Sequence, residues 1–284
     1  MTEFTLHYTF SGGYPPSEAS LALESEGKAE MFLGSSASLP VEELDCAGWF
    51  AGALPADIAS ALQSLLAEPA LVEKLAHLQS APAGKLPLDS LVRRLRLVLD
   101  GQEFKLELPA SSRDHWLASL DDLLRRAMSA LSRRPLQALR LQVSLRQEGA
   151  SLLPSFKLTG LGTQATSILF YDPSPPAQVC AASFNLEARI EFPGGAIAWN
   201  PQTMLQVPPA HWLNLIEQGL LPAQMTLAEP DISLHLPLPA LAQPANPAGL
   251  YFGGALTLWL VDAQDRRRKV SLQSARQLLA EMPA

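Results

Sequence analysis

Apolar and polar residues alternate with period two through much of this chain, and in a few places the pattern changes to helical spacing. The clearest change lies between Arg94 and Leu131. Leu95, Leu97 and Leu99 alternate with Arg94, Arg96 and Val98, and Phe104, Leu106 and Leu108 alternate with Glu103, Lys105 and Glu107. Between the two runs stands Asp100-Gly101, a pair that accepts positive φ at low cost. The pattern predicts a β-hairpin with one apolar and one charged face, as in an antiparallel sheet wetted on one side. Pro109 ends the second strand, and Ser111 or Ser112 is placed to cap a helix. That helix turns Trp116, Leu117, Leu120, Leu123, Leu124, Ala127, Met128 and Leu131 toward a core. Asp121–Arg125 and Asp122–Arg126 form i,i+4 pairs on its outer side.

The same reading extends along the chain. Strands are expected at 4–10, 19–24, 28–33, 45–52, 138–146, 155–159, 167–171, 183–192, 196–199, 224–228, 231–236, 255–261 and 267–272. Asp57 is placed to cap a helix carrying Ile58, Leu62, Leu65 and Leu66, and Leu71, Leu75 and Leu78 continue the helical pattern up to Pro82. A short helix follows at 211–221, and Ser274 opens a last one through Met282. Gly/Pro-rich turns are expected at Ser11–Pro16 and Tyr251–Gly254, a linker at Asp172–Pro176, and a surface connection from Pro237 to Gly249.

Three helix starts resemble one another: LPADIASALQSLL, LPASSRDHWLASLDDLL and VPPAHWLNLIEQGLL. Each follows a hairpin-like stretch. The expected fold is therefore α+β, built of antiparallel hairpins each followed by an amphipathic helix. It would form two similar ββαββα halves, residues 1–134 and 135–284, with helices on one face of the sheet; one fused domain is the alternative.

Composition narrows the class. Of 284 residues, 48% are hydrophobic and 17% charged, which is a globular balance, and 24 prolines imply many fixed turns. The net charge of −7 weighs against non-specific binding to nucleic acid or anionic membranes. No run approaches the roughly 20 apolar residues of a membrane span. The N-terminal stretch lacks the basic and apolar regions of a signal peptide. Cys46 and Cys180 lack metal-type spacing, so a reduced pair in a soluble, cytoplasmic protein is expected.

Candidate chemistry is sparse. His115-Trp116 and His211-Trp212 recur at helix starts and are the candidate ligand-binding residues; without Cys or acidic companions they make no zinc pattern. Gly160–Ala165 matches G-x-G-x-x-A but runs into a β-like stretch where a dinucleotide fingerprint needs a helix. Cys46 has no cation or histidine beside it in sequence to activate a thiolate. Arg266–Lys269, with Arg93, Arg94, Arg96, Arg133 and Arg134, are basic, and Glu42, Glu43 and Asp45 are acidic; both groups read as solvated surface. No catalytic residue, metal or cofactor is expected. The expected function is a non-catalytic protein-binding, scaffold or adaptor role toward an unidentified protein partner, with homodimerisation open. The alternative is an enzyme or small-ligand binder with its site between the two halves.

Overall fold

The computed structural model describes residues 3–12, 17–35, 45–80, 92–108, 114–149, 151–171, 182–191, 197–199, 205–207, 209–227, 233–237, 240–242, 250–262, 264–275 and 277–278. Among the described residues the fold is mixed α+β, mostly strand, with four helices and antiparallel sheets. Residues 1–44 and 49–136 form one compact unit, and residues 45–48 and 137–284 a second.

The first unit contains β1 (Phe4–Gly12), β2 (Ser17–Glu24), β3 (Lys28–Leu33) and most of β4 (Cys46–Ala53). Helices α1 (Ala56–Leu66) and α2 (Leu71–Ser80), the hairpin β5 (Val92–Leu99) and β6 (Gln102–Leu108), and helix α3 (His115–Leu131) complete it. Its strands run β4-β3-β2-β1-β5-β6, so β6 ends the sheet among the described residues. Register converts the sequence alternation into two unlike faces. Met31, Leu21, Tyr8, Leu95 and Leu106 form one transverse row, and Ala29, Leu23, Leu6, Leu97 and Phe104 the next; all are buried. One residue out of phase, Glu30, Ala22, His7, Arg96 and Lys105 line up on the opposite face. Period-two geometry allows no other division once one face is buried.

The helices cover the apolar face. Trp116 donates its indole N–H to the Leu65 carbonyl at 3.2 Å, one of the last-turn carbonyls of α1 that has no partner within the helix. Lys74 of α2 lies 5.9 Å from the centre of the same indole ring. Asp114, not Ser111 or Ser112, caps α3, accepting from the Leu117 N–H at 3.0 Å; both serines lie outside the described residues. Burial opposes ionisation of Asp114, but the Leu117 and Trp116 N–H groups and Lys74 hold its carboxyl below the usual range. Asp57 does not cap α1, which begins after Pro55 with no side-chain cap. The Asp57 carboxylate accepts from Arg126 at 2.6 Å, so Arg126 bridges two helices in place of the expected contact with Asp122.

The second unit opens with β7 (Pro135–Glu148), whose first two residues belong to the first unit, and β8 (Ser151–Leu161), which pair from Ala138↔Leu161 to Glu148↔Ser151. Then come β9 (Thr166–Leu169), β10 (Ser183–Glu191), β11 (Ile197–Trp199), β12 (Leu205–Val207) and α4 (Pro209–Glu217). The chain continues with β13 (Gln224–Leu227), β14 (Ser233–Pro237), β15 (Leu241–Ala242), β16 (Leu250–Val261), β17 (Arg267–Gln273) and β18 (Gln277–Leu278). Strands β14 and β15 pair with β8; β14 lies on the strand expected at 231–236, whereas β15 falls inside the stretch expected as a surface connection.

Strand β16 organises the other sheet. Thr257 pairs with Ser183 of β10 and Ser271 of β17, and Trp259 with Leu169 of β9 and Lys269 of β17. Each residue has two lateral sides, so β10 and β9 follow one another along one side of β16 and β17 lies on the other. Two expectations fail here. Tyr251–Gly254 is strand interior, not a turn: a Cβ on Gly254 would lie 2.7 Å from Val143 Cγ2 and 2.9 Å from Phe184 Cζ, so glycine lets β7 and β10 side chains reach the β16 backbone. Gln277 and Leu278 are extended and pair with Phe252 and Tyr251, where a closing helix was expected. Pairing to β16 overrides the local helical spacing. The fourth hairpin–helix unit therefore has no helix across these two residues, and the ββαββα repeat is not confirmed.

Candidate functional site

The two His-Trp pairs are placed alike but in different surroundings. His115 is exposed at the first residue of α3 while Trp116 is buried against α1. In the second unit, Trp212 of α4 stacks on Phe170 at 5.7 Å and tilts against Phe156 at 5.9 Å; Phe156 in turn stacks on Phe184 at 5.5 Å. His211 meets the edge of the Trp212 ring at 6.0 Å and is half-buried. Both indoles thus serve as packing centres. Among the described residues, only the Trp116 indole N–H of the two has a hydrogen-bond partner; that of Trp212 is buried without one. Substitution with phenylalanine separates the two. Trp116→Phe leaves the Leu65 carbonyl without its donor and is expected to cost about 1–2 kcal/mol more than Trp212→Phe, which removes an unsatisfied donor. Urea midpoints measure the difference; equal costs would refute this hydrogen-bond assignment.

The other motifs resolve individually. Gly162–Gln164 bend the chain into β9, not a helix, and the Ala165 carbonyl accepts from the Gln137 side chain at 2.6 Å. Glu42, Glu43 and Cys180 lie outside the described residues. Asp45 sits 2.6 Å from Arg140 Nε, off the direction of the N–H, so the contact is an ion pair without an aligned hydrogen bond. Burial, reinforced by the Asp45 charge and only partly offset by Arg140, pushes the Cys46 thiol up to about 11. A thiol at about 11 is almost wholly protonated at neutral pH. Cys46 is expected to resist iodoacetamide at pH 8 in the native chain and react on unfolding, read by site-resolved mass spectrometry. Native alkylation at the rate of a free thiol would contradict the burial. Its contribution to stability is complete below pH 9 and is lost as pH rises from about 9 to about 11, because the unfolded thiol ionises first.

The basic residues divide. Arg266 is tied to Asp262, whose Oδ1 accepts from the Gln264 and Arg266 N–H groups at 2.9 and 2.8 Å and so shapes the β16–β17 turn. Arg93 leaves the basic group altogether. It shares parity with Leu95 and so falls on the apolar face, where it meets Asp121 of α3 at 2.6 Å. Arg125 holds the other Asp121 oxygen, and the Tyr8 hydroxyl bonds to Arg93. This linked group fastens α3 to the sheet and was not recognised from sequence.

The most distinctive surface is the opposite face of the first unit's sheet. His7, Thr9, Ser11, Glu18, Glu24, Glu30, Arg94, Arg96, Glu103, Lys105 and Glu107 are exposed there. Arg94 meets Glu107 at 3.3 Å, Glu103 bonds to Arg96 and lies 3.3 Å from Lys105, and these bridges hold the Glu103 carboxyl below its usual range. Phe32 shares this face and is buried beneath Trp49, ring centres 5.1 Å apart. The result is a regular surface of hydroxyls, paired charges and one aromatic pair. Among the described residues, no group of three or more His, Cys, Asp or Glu side chains is placed to hold a metal ion, and no helix is long and apolar enough to cross a membrane.

No family model matches the chain, and no curated protein does. Among solved structures, a Northeast Structural Genomics Consortium target aligns at 13% identity over 51% of this chain and 91% of its own, with a TM-score of 0.24. A second target of that consortium, from Bordetella pertussis and named for an ApaA protein, aligns at 11% identity over 51% and 94%, with a TM-score of 0.27. Scores this low do not establish a shared fold.

Proposed function

We propose that this chain is a non-catalytic binding protein, an adaptor or scaffold component, that meets a protein partner on the open face of the first unit's sheet. The supporting observation is the division of that sheet: helices bury one face while the other presents an exposed, regular array centred on His7, Thr9, Arg94 and Arg96. Strand geometry holds the backbone positions of these side chains at fixed spacing, so little backbone ordering entropy is lost on contact. Cross-linking in the native host tests the reading. A photo-reactive benzoylphenylalanine replacing His7 or Thr9 is expected to capture the same protein from both positions, in competition with untagged chain. The control position is Asp122, exposed on α3. Equal capture from Asp122, or no adduct from His7 and Thr9, overturns the proposal.

A further inference from the structure

We infer that β6 is a docking edge for an extended segment of the partner, and that the segment carries alternating basic, acidic and basic side chains. This deepens the binding role proposed above and rests on it. Asp100 and Gly101 have φ of 46° and 82°, a two-residue turn with both central residues left-handed. Such a turn makes Leu99 and Gln102 a hydrogen-bonded pair. Alternation in an antiparallel ladder then directs the N–H and C=O groups of Gln102, Phe104, Leu106 and Leu108 toward β5. Those of Glu103, Lys105 and Glu107 point away from the sheet. Among the described residues β6 pairs with β5 alone, so these three residues present three donors and three acceptors along a strand edge that lacks proline.

The side chains select what can pair there. In the fully paired antiparallel register, a second copy of β6 would set Lys105 opposite Lys105 and Glu103 opposite Glu107. Like charges directly across a ladder repel, so the edge disfavours its own copy in that fully paired register. A basic–acidic–basic strand meets attraction at all three positions. The chain already contains one such contact: β5 places Arg94 directly across from Glu107 at 3.3 Å. Apolar residues of the added strand would extend the face of Phe104 and Leu106. The helix lying against β6, α2, carries Val72, one of two large apolar side chains exposed among the described residues.

Two labelled peptides test this on the full chain by fluorescence anisotropy, up to millimolar concentration. Thr-Lys-Val-Glu-Val-Lys-Thr is expected to bind on the order of tenfold more tightly than Thr-Glu-Val-Lys-Val-Glu-Thr. Lys105→Pro removes an outward N–H that no ladder bond among the described residues uses; it should abolish binding with little change in the melting curve. Equal affinities, no binding, or binding that survives Lys105→Pro would overturn the inference. In each of those cases capture from His7 and Thr9 would still uphold the broader binding role, whereas loss of that capture would remove it.

Discussion

Replacing Gly48 with alanine is expected to lower stability by about 3–5 kcal/mol, combining an overpacked contact with left-handed strain. Gly48 has φ of +140°, and a methyl group there would run into the Gln137 carbonyl oxygen and come within 2.7 Å of Ala138 Cα. Both obstacles are backbone atoms of β7, so no rotamer change relieves the clash. Gly27→Ala is the control: φ is +81° but nothing lies within 4 Å of the added carbon, leaving only the strain of about 1–2 kcal/mol. Urea denaturation measures both. If Gly48→Ala costs no more than Gly27→Ala, the approach of β4 to β7 is looser than described.

The second large effect concerns Asp121. Asp121→Asn is expected to cost about 2–3 kcal/mol, because Arg93 and Asp121 are only 12% and 19% exposed and the change takes the Asp121 charge away from a largely buried guanidinium. Replacing both residues with leucine should cost less than Asp121→Asn, since the desolvation penalty disappears along with the attraction. A double-mutant cycle from urea midpoints gives the coupling. Additive single and double changes would place the pair in effective solvent contact and refute its role as the tie between α3 and β5. The Arg125–Asp121 contact alone would not produce this coupling, because Arg125 is exposed.

How far the sequence revealed this architecture depended on how local the cause was. The β5–β6–α3 segment was legible because strand alternation, an Asp-Gly turn and helical spacing all act within a few residues. The location of Arg93 was in principle legible too, since it shares parity with Leu95, Leu97 and Leu99, but its charge drew it into a supposed basic surface. Tyr251–Gly254 was misread because glycine in a strand and glycine in a turn look the same in one dimension; what decides is the approach of Val143 and Phe184 from distant strands. Gln277 and Leu278 were misread because β16 offers a partner that helical spacing does not disclose. Among the candidate residues, the His-Trp pairs were conspicuous by repetition, yet the two tryptophans are packing centres. The exposed face and the outward groups of β6 emerge from strand order and register, which join segments far apart in sequence.

Strand β4 has a consequence for how this protein can be divided. Residues 45–48 belong with the second unit although the rest of that unit begins at residue 137. A fragment starting at Gln137 would lack Asp45, the ion-pair partner of Arg140, and Gly48, whose backbone packs on Gln137 and Ala138. A fragment ending at Leu136 would carry those residues with nothing to receive them. The two units are therefore not interchangeable cassettes: gene fusion, shuffling or truncation at 136/137 would sever one unit from a piece of itself. During synthesis the second unit also inherits a segment that left the ribosome roughly ninety residues before the strand that completes it.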